Sequence, residues 1–172
     1  MEKILPGLAM LAIIGVVFAL IWIGWRNRLR RQADVDQLPA LPGAPGSPLL
    51  SAEGQYVAST TAGDWLDRVA VHGLGIRTNA VLSVYPHGVL FDRSGAPAVY
   101  IPAADLTAIR QDSGMVGKFV EKDGLLVVRW KLGTHELDTG FRTRRAAEKN
   151  ALFESLQQLI PAAPQADPHS GK

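Results

Sequence analysis

From Ile4 to Trp25 the chain runs 22 residues without a charge, ILPGLAMLAIIGVVFALIWIGW, and then meets Arg26, Arg28, Arg30 and Arg31 within six positions. A helix of that length, at about 1.5 Å per residue, extends roughly 33 Å and matches a hydrocarbon core of about 30 Å. A lone segment in lipid must satisfy every backbone amide internally, so the pattern predicts a single transmembrane helix. Pro6 falls in the first turn, where a missing N–H costs little, and Trp22 and Trp25 stand near the far end, where indoles meet headgroups. The competing reading is a cleaved signal peptide, whose apolar region is shorter, about 7–15 residues, and is followed by small residues. Here the run ends in WRNRLRR, a stop-transfer pattern. The four arginines outweigh Lys3, which Glu2 offsets, so the expected topology leaves the N-terminus outside and the rest of the chain in the cytoplasm. Residues 1–31 are thus read as a membrane anchor with an Arg-rich flank, placing the protein in the plasma membrane with lipid as one partner. The same arginines are compatible with contact to anionic headgroups. Gly15 and Ala19 form a small-xxx-small pair of the kind that lets two helices approach.

Residues 32–54, QADVDQLPALPGAPGSPLLSAEG, hold Pro39, Pro42, Pro45 and Pro48 among Gly, Ala and Ser. Such a composition holds neither a helix nor a central strand and reads as a semi-rigid, partly extended spacer. Its PxxP spacing also suits an SH3-like module, but that pattern recurs in most proline-rich spacers.

Beyond the spacer, residues 55–160 have the length and pattern of one small domain. The charge there is nearly balanced, 13 Lys/Arg against 12 Asp/Glu from Gln55 to the end. With no basic stripe, a duplex nucleic-acid partner is not expected. The chain has no cysteine, which excludes a thiolate nucleophile and any Cys-based metal site.

Short alternating runs separated by turn residues predict strands at Tyr56–Thr60, Asn79–Tyr85, Gly88–Asp92, Pro97–Ile101, Leu106–Asp112, Leu125–Leu132 and His135–Phe141. Asp123-Gly124 is the strongest hairpin signal, because both central positions of a type I′ turn need positive φ. Arg144–Ile160 carries Ala147, Ala151, Leu152, Leu156, Leu159 and Ile160 at helical spacing, with Thr143 as the expected N-cap and Pro161 as the stop. Residues 161–172 read as a disordered tail. Between the first two strands, Asp64 is placed to cap a short helix carrying Trp65, Leu66 and Val69, which Gly73 and Gly75 would end.

About seven strands in a meander followed by one amphipathic helix resembles the plan of a pleckstrin-homology (PH)-like barrel or sandwich capped by a helix. The stretches TTAGDWLDRVAVHGLGIRTNA, YPHGVLFDRSGAPAVYIPAADL and ELDTGFR look like those of membrane-anchored PH-like proteins of high-GC Gram-positive bacteria. That family shares the order of helix, Arg cluster, Pro-rich spacer and domain. Some members carry membrane, export or transporter-like descriptions, and they tend to be encoded among pyrimidine-biosynthesis genes. The resemblance therefore implies a protein partner, with pyrimidine-biosynthesis enzymes as one class to test.

No residue pattern points to catalysis. His72, His87, His135 and His169 show no HExxH-type spacing, and no phosphate-cradling or nucleophile-elbow motif occurs. Asp64 and Asp67 read as capping or solvated carboxylates, and Asp138 near His135 as an ordinary strand neighbour. Neither an enzyme, a cofactor nor a metal is expected. Trp130 is expected in the core; Trp65 is expected there too, with a lid or partner contact as the rival reading. PH domains that bind inositol phosphates do so with basic residues near the first strand pair, where this chain offers Arg68 and Arg77. These three, Trp65, Arg68 and Arg77, are the candidate partner or anion contacts. The expected function is a membrane-tethered interaction or scaffold module; the alternatives are an anionic-headgroup binder and an accessory subunit of a transport or export system.

Overall fold

A computed structural model describes residues 4–31, 35–43, 45–115, 118–119 and 124–161, with side chains at 9–24, 26–27, 35–43, 45–113 and 124–161. The expected disordered tail beyond residue 161 and the Asp123 half of the hairpin signal lie outside the described residues. The chain divides into two compact units, Met1–Asp34 and Val35–Lys172.

The first unit is a helix, α1 (Ile4–Arg31), which continues through the arginine cluster instead of ending at Trp25. Its described apolar side chains, Phe18 and Trp22 among them, are exposed, and the Arg26 guanidinium stands 5.4 Å from the Trp22 ring centroid. The side chains of Ile4, Trp25, Arg28, Arg30 and Arg31 lie outside the described set. Among the described residues no helix is long and apolar enough to cross a membrane, so the structure does not support the expected span.

The second unit is built on one seven-stranded antiparallel sheet, ordered β4-β3-β2-β1-β9-β8-β5. The strands are β1 (Leu50–Thr61), β2 (Thr78–Tyr85), β3 (Gly88–Arg93), β4 (Val99–Pro102), β5 (Leu106–Asp112), β8 (Leu125–Leu132) and β9 (His135–Thr143). Two-residue strands β6 (Gly114–Met115) and β7 (Lys118–Phe119) pair with each other. Leu125–Leu132 pairs with β5 and β9. The first strand begins six residues before Tyr56 and absorbs residues 50–54 of the expected spacer.

β1 is long because it serves both halves of the sheet. Leu50–Tyr56 pairs with β2, and Gly54–Thr61 pairs with β9. Gly54 lies where the two pairings overlap, and a Cβ there would collide with the Arg142 carbonyl and stand 2.6 Å from Phe141 Cζ. A register shift between Tyr56 and Ala58 bends the strand, as a bulge does. Tyr56 and Ser59, three positions apart, consequently both turn inward, and their hydroxyl oxygens meet at 2.7 Å. The bend wraps the sheet around Leu82, Phe91, Ile101, Leu126, Trp130 and Phe141.

The closing helix, α2 (Ala146–Gln157), is shorter than predicted, and its N-cap is Arg145. Thr143 still belongs to β9, opposite Gly54. Only Leu152 and Leu156 of the predicted stripe are fully buried, while Ala147 and Ala151 are exposed. The helix touches the sheet along one narrow seam, against β1, β2, β5 and β9.

Candidate binding surfaces at the barrel mouth

Three connections meet at one end of the barrel: residues 62–77 between β1 and β2, 94–98 between β3 and β4, and the β8–β9 turn at 133–134. Asp64 does not start a helix. Its Oδ1 accepts the backbone N–H groups of Leu66 and Asp67 at 3.0 and 3.2 Å, and Thr61 Oγ1 donates to Asp67 at 2.8 Å. The short polar side chain thus substitutes for a backbone turn. The loop folds back beside β1, with Val69 N–H donating to Ser59 O and Ser59 N–H to Leu74 O. It then passes through a tight turn, Val71–Gly73.

Arg93, at the end of β3, ties two of these connections together. Its Nε donates to Pro97 O at 2.7 Å and its Nη1 to Gly73 O at 2.8 Å, while the guanidinium lies 4.6 Å from the Tyr56 ring centroid. Only 4% of the residue is exposed, and burial lowers its pKa. A strand-end arginine in FDRSG has no motif around it, so sequence reasoning passed it by.

From Tyr56 a chain of hydrogen bonds enters the core. Tyr56 Oη donates to Leu74 O at 3.0 Å and lies 2.7 Å from Ser59 Oγ. Ser59 Oγ is 2.6 Å from Thr139 Oγ1, which accepts Trp130 Nε1–H at 2.8 Å. One consistent orientation satisfies every link, so four buried polar groups are accommodated without an orphan. Burial outweighs the Ser59 hydrogen bond and the Arg93 charge and pushes the Tyr56 phenol up to about 12. A raised phenol stabilises the fold below the unfolded value near 10 and loses that contribution as pH rises through about 12. Tyr56→Phe is expected to cost about 1 kcal/mol at neutral pH and to shallow the stability loss between those limits, measured by urea unfolding.

On the outer face, Asp138 is buried beneath two arginines. Arg129 donates through Nε and Nη2 at 2.8 and 2.9 Å, Arg110 through Nη2 at 3.0 Å, and Gly63 N–H at 3.2 Å. Its partners are therefore these groups and not His135. Burial alone would raise the Asp138 pKa, but the hydrogen bonds from Arg129, Arg110 and Gly63 overcome it and hold the carboxyl at about 2.

The three predicted contact residues lie in the β1–β2 connection without converging. Trp65 is 44% exposed, which corrects its expected core position: the turn at Asp64 carries it and Leu66 outward. Arg68 Nη1 donates to Gly75 O at 3.2 Å, whereas Arg77 Nε donates to Gln55 Oε1 at 2.7 Å. Trp65→Ala is expected to change stability by less than about 0.5 kcal/mol in the same measurement. A shallow groove of about 480 Å3 over β1, β2 and β9 is lined by residues including Gln55, Asn79 and Arg142, and at its rim Arg144 pairs with Glu53 at 2.9 Å. No group of three or more potential metal ligands occurs among the described residues.

A bent seven-stranded antiparallel sheet closed by a C-terminal helix defines a PH-like domain. A profile of the family described as bacterial PH domain-like matches residues 35–157, and the chain belongs to that family. No curated protein matches. Among solved structures, the chain is similar to the C-terminal PH domain of human FYVE, RhoGEF and PH domain containing protein 3, at 10% identity and a TM-score of 0.42, covering 73% of this chain and 98% of that one. It is also similar to the C-terminal domain of an unknown protein from Leishmania infantum, at 17% identity and TM-score 0.40, covering 80% and 98%. A truncated Vav1 is similar at 14% identity and TM-score 0.41, covering 79% of this chain and 32% of that one.

Proposed function

We propose that the protein is a non-catalytic, membrane-tethered PH-like module that docks protein segments at the free edge of β5, on the cytoplasmic face of the plasma membrane. The observation that carries the docking reading is the position of β5: seven residues long, it ends the sheet and, among the described residues, pairs only with β8. An edge strand offers backbone donors and acceptors to an incoming strand, with alternate side chains supplying specificity. Tethering is supported by the uncharged run Ile4–Trp25 and the arginines after it, and by the resemblance to membrane-anchored proteins of high-GC Gram-positive bacteria. Confinement to a surface raises the local concentration of the module without any new contact.

Two experiments test this. Alkaline carbonate extraction is expected to leave the full chain in the membrane pellet and to release a form lacking residues 4–25; full-length protein in the supernatant ends the tethering claim. A pull-down from solubilised membranes is expected to recover a partner that Thr107→Lys/Gln111→Lys loses, because lysines on an edge disfavour strand addition. No partner above background sinks the docking claim. The second reading, direct contact with anionic lipid, draws on the exposure of Trp65, Leu66, Ile76 and Arg77 in one loop. Flotation of residues 35–172 with anionic liposomes decides it: salt-independent absence of binding excludes that reading.

A further inference from the structure

The segment read as free spacer starts inside the domain. Val35 is only 9% exposed and belongs to the same apolar cluster as Leu74, from the β1–β2 connection, and Leu132, from the end of β8; Leu38 packs against that cluster. His72 Nε2 lies 3.3 Å from the Val35 carbonyl oxygen. On the other side the Asp36 carboxylate rests over Gly133, so closely that a Cβ at position 133 would collide with it. The family match also begins at Val35 and not at the first strand.

Both residues that receive the segment have unusual backbones. Gly133 has φ +58, open to glycine at no steric cost. His72 has φ 54 and ψ 16, the only positive φ on a residue with a Cβ among those described. Strain of this kind persists where surrounding contacts over-determine it and concentrates at ligand clamps. Here the strained residue is the one that addresses the Val35 carbonyl, and the glycine is the one that makes room for Asp36.

We infer that the barrel mouth is a peptide-binding site and that Val35–Leu38 is its resident occupant, held in cis. The ligand class is a short segment with a β-branched apolar residue, a carboxylate beside it and an apolar residue two positions further on, the pattern Val-Asp-Gln-Leu. The apolar side chains enter the cluster, His72 meets the main-chain carbonyl, and the Gly133 surface admits the carboxylate. Because the occupant is covalently attached, its effective concentration is of millimolar order, and a partner bearing the same pattern reaches the mouth only when the segment leaves. This site is separate from the β5 edge, and its test does not depend on the edge binding anything.

The absence of cysteine makes the test clean. In the full chain, solubilised in detergent, Asp36→Cys/Gly133→Cys introduces a single pair at a Cβ separation near 3.3 Å, against a usual value of about 3.8 Å for disulfides. Mild oxidation is expected to close the bond within one chain almost completely. A labelled peptide copying residues 33–41, ADVDQLPAL, is then offered to four proteins: wild type, the oxidised pair, Val35→Asp/Leu38→Ser, and Asp36→Lys. The last removes the carboxylate from the attached segment alone and leaves the receiving surface and the apolar residues intact, should the double variant not fold. The opened variants are expected to bind the peptide at least tenfold more tightly than wild type, and the oxidised pair not at all. A peptide carrying the same two substitutions is expected not to bind. A pair that stays reduced, opened and folded variants that ignore the peptide, or wild type that binds it equally well each overturns the inference.

Discussion

Trp130→Ala is expected to lower the free energy of unfolding by about 3–5 kcal/mol, the range seen when a large aromatic is removed from a packed core. Trp130 is fully buried and lies in the cluster with Leu126, Val128 and Phe141. Alanine at that position removes most of the apolar surface and also leaves Thr139 Oγ1 without the indole donor it accepts at 2.8 Å. The surrounding strands cannot collapse to fill the space, because β8 is paired on both sides, with β5 and with β9. Urea unfolding followed by far-UV circular dichroism measures the effect. A fall in midpoint at unchanged slope is expected, and a loss below about 1 kcal/mol would show that the side chain is not enclosed as described. Trp130→Phe separates the two contributions, since it keeps most of the volume and removes only the N–H; about 1 kcal/mol is expected for it.

Asp138→Ala is expected to cost about 3 kcal/mol, because removing one partner of a buried ion pair strands the charge that remains. The figure sits at the low end of that class, since Arg129 and Arg110 are 30% and 38% exposed and regain some water. The same carboxylate makes stability fall in acid. Its folded pKa of about 2 lies below the ordinary value of 3.8, so its contribution is fully present above about pH 4 and is lost as pH falls through 2. The difference corresponds to about 2 kcal/mol at neutral pH. Urea titrations at stepped pH should show the drop in wild type and a flatter profile in Asp138→Ala. Parallel profiles would mean that the triad does not form.

Much of the architecture was legible because it repeats locally. Alternation in residues 79–85 and 125–132 marks strands whose two faces meet different surroundings, and the i, i+4 spacing of Leu152 and Leu156 marks the closing helix. The ends of these elements were less legible. β1 runs back to Leu50 because it finds partners in β2 and β9, and nothing in LSAEG announces either one. The helix starts late because Thr143 is held in the sheet by Gly54. The polar chain from Trp130 to Tyr56 joins residues up to 80 positions apart, which no spacing rule relates. Asp138 is the sharpest case: its neighbour in sequence is His135, and its neighbours in space are two arginines from other strands.

The amino-acid sequence alone determined the division into an uncharged N-terminal run with its arginines, a proline-rich stretch and a mainly β domain, along with the absence of any thiolate chemistry. Those properties depend on composition and short-range periodicity, which act without reference to the rest of the chain. Only the tertiary structure decided that Val35 is seated in the barrel, that Trp65 points outward, that Arg93 pins two loops and that β5 ends the sheet. Each of these depends on which distant segments meet, and that is set by how the whole apolar surface is buried at once.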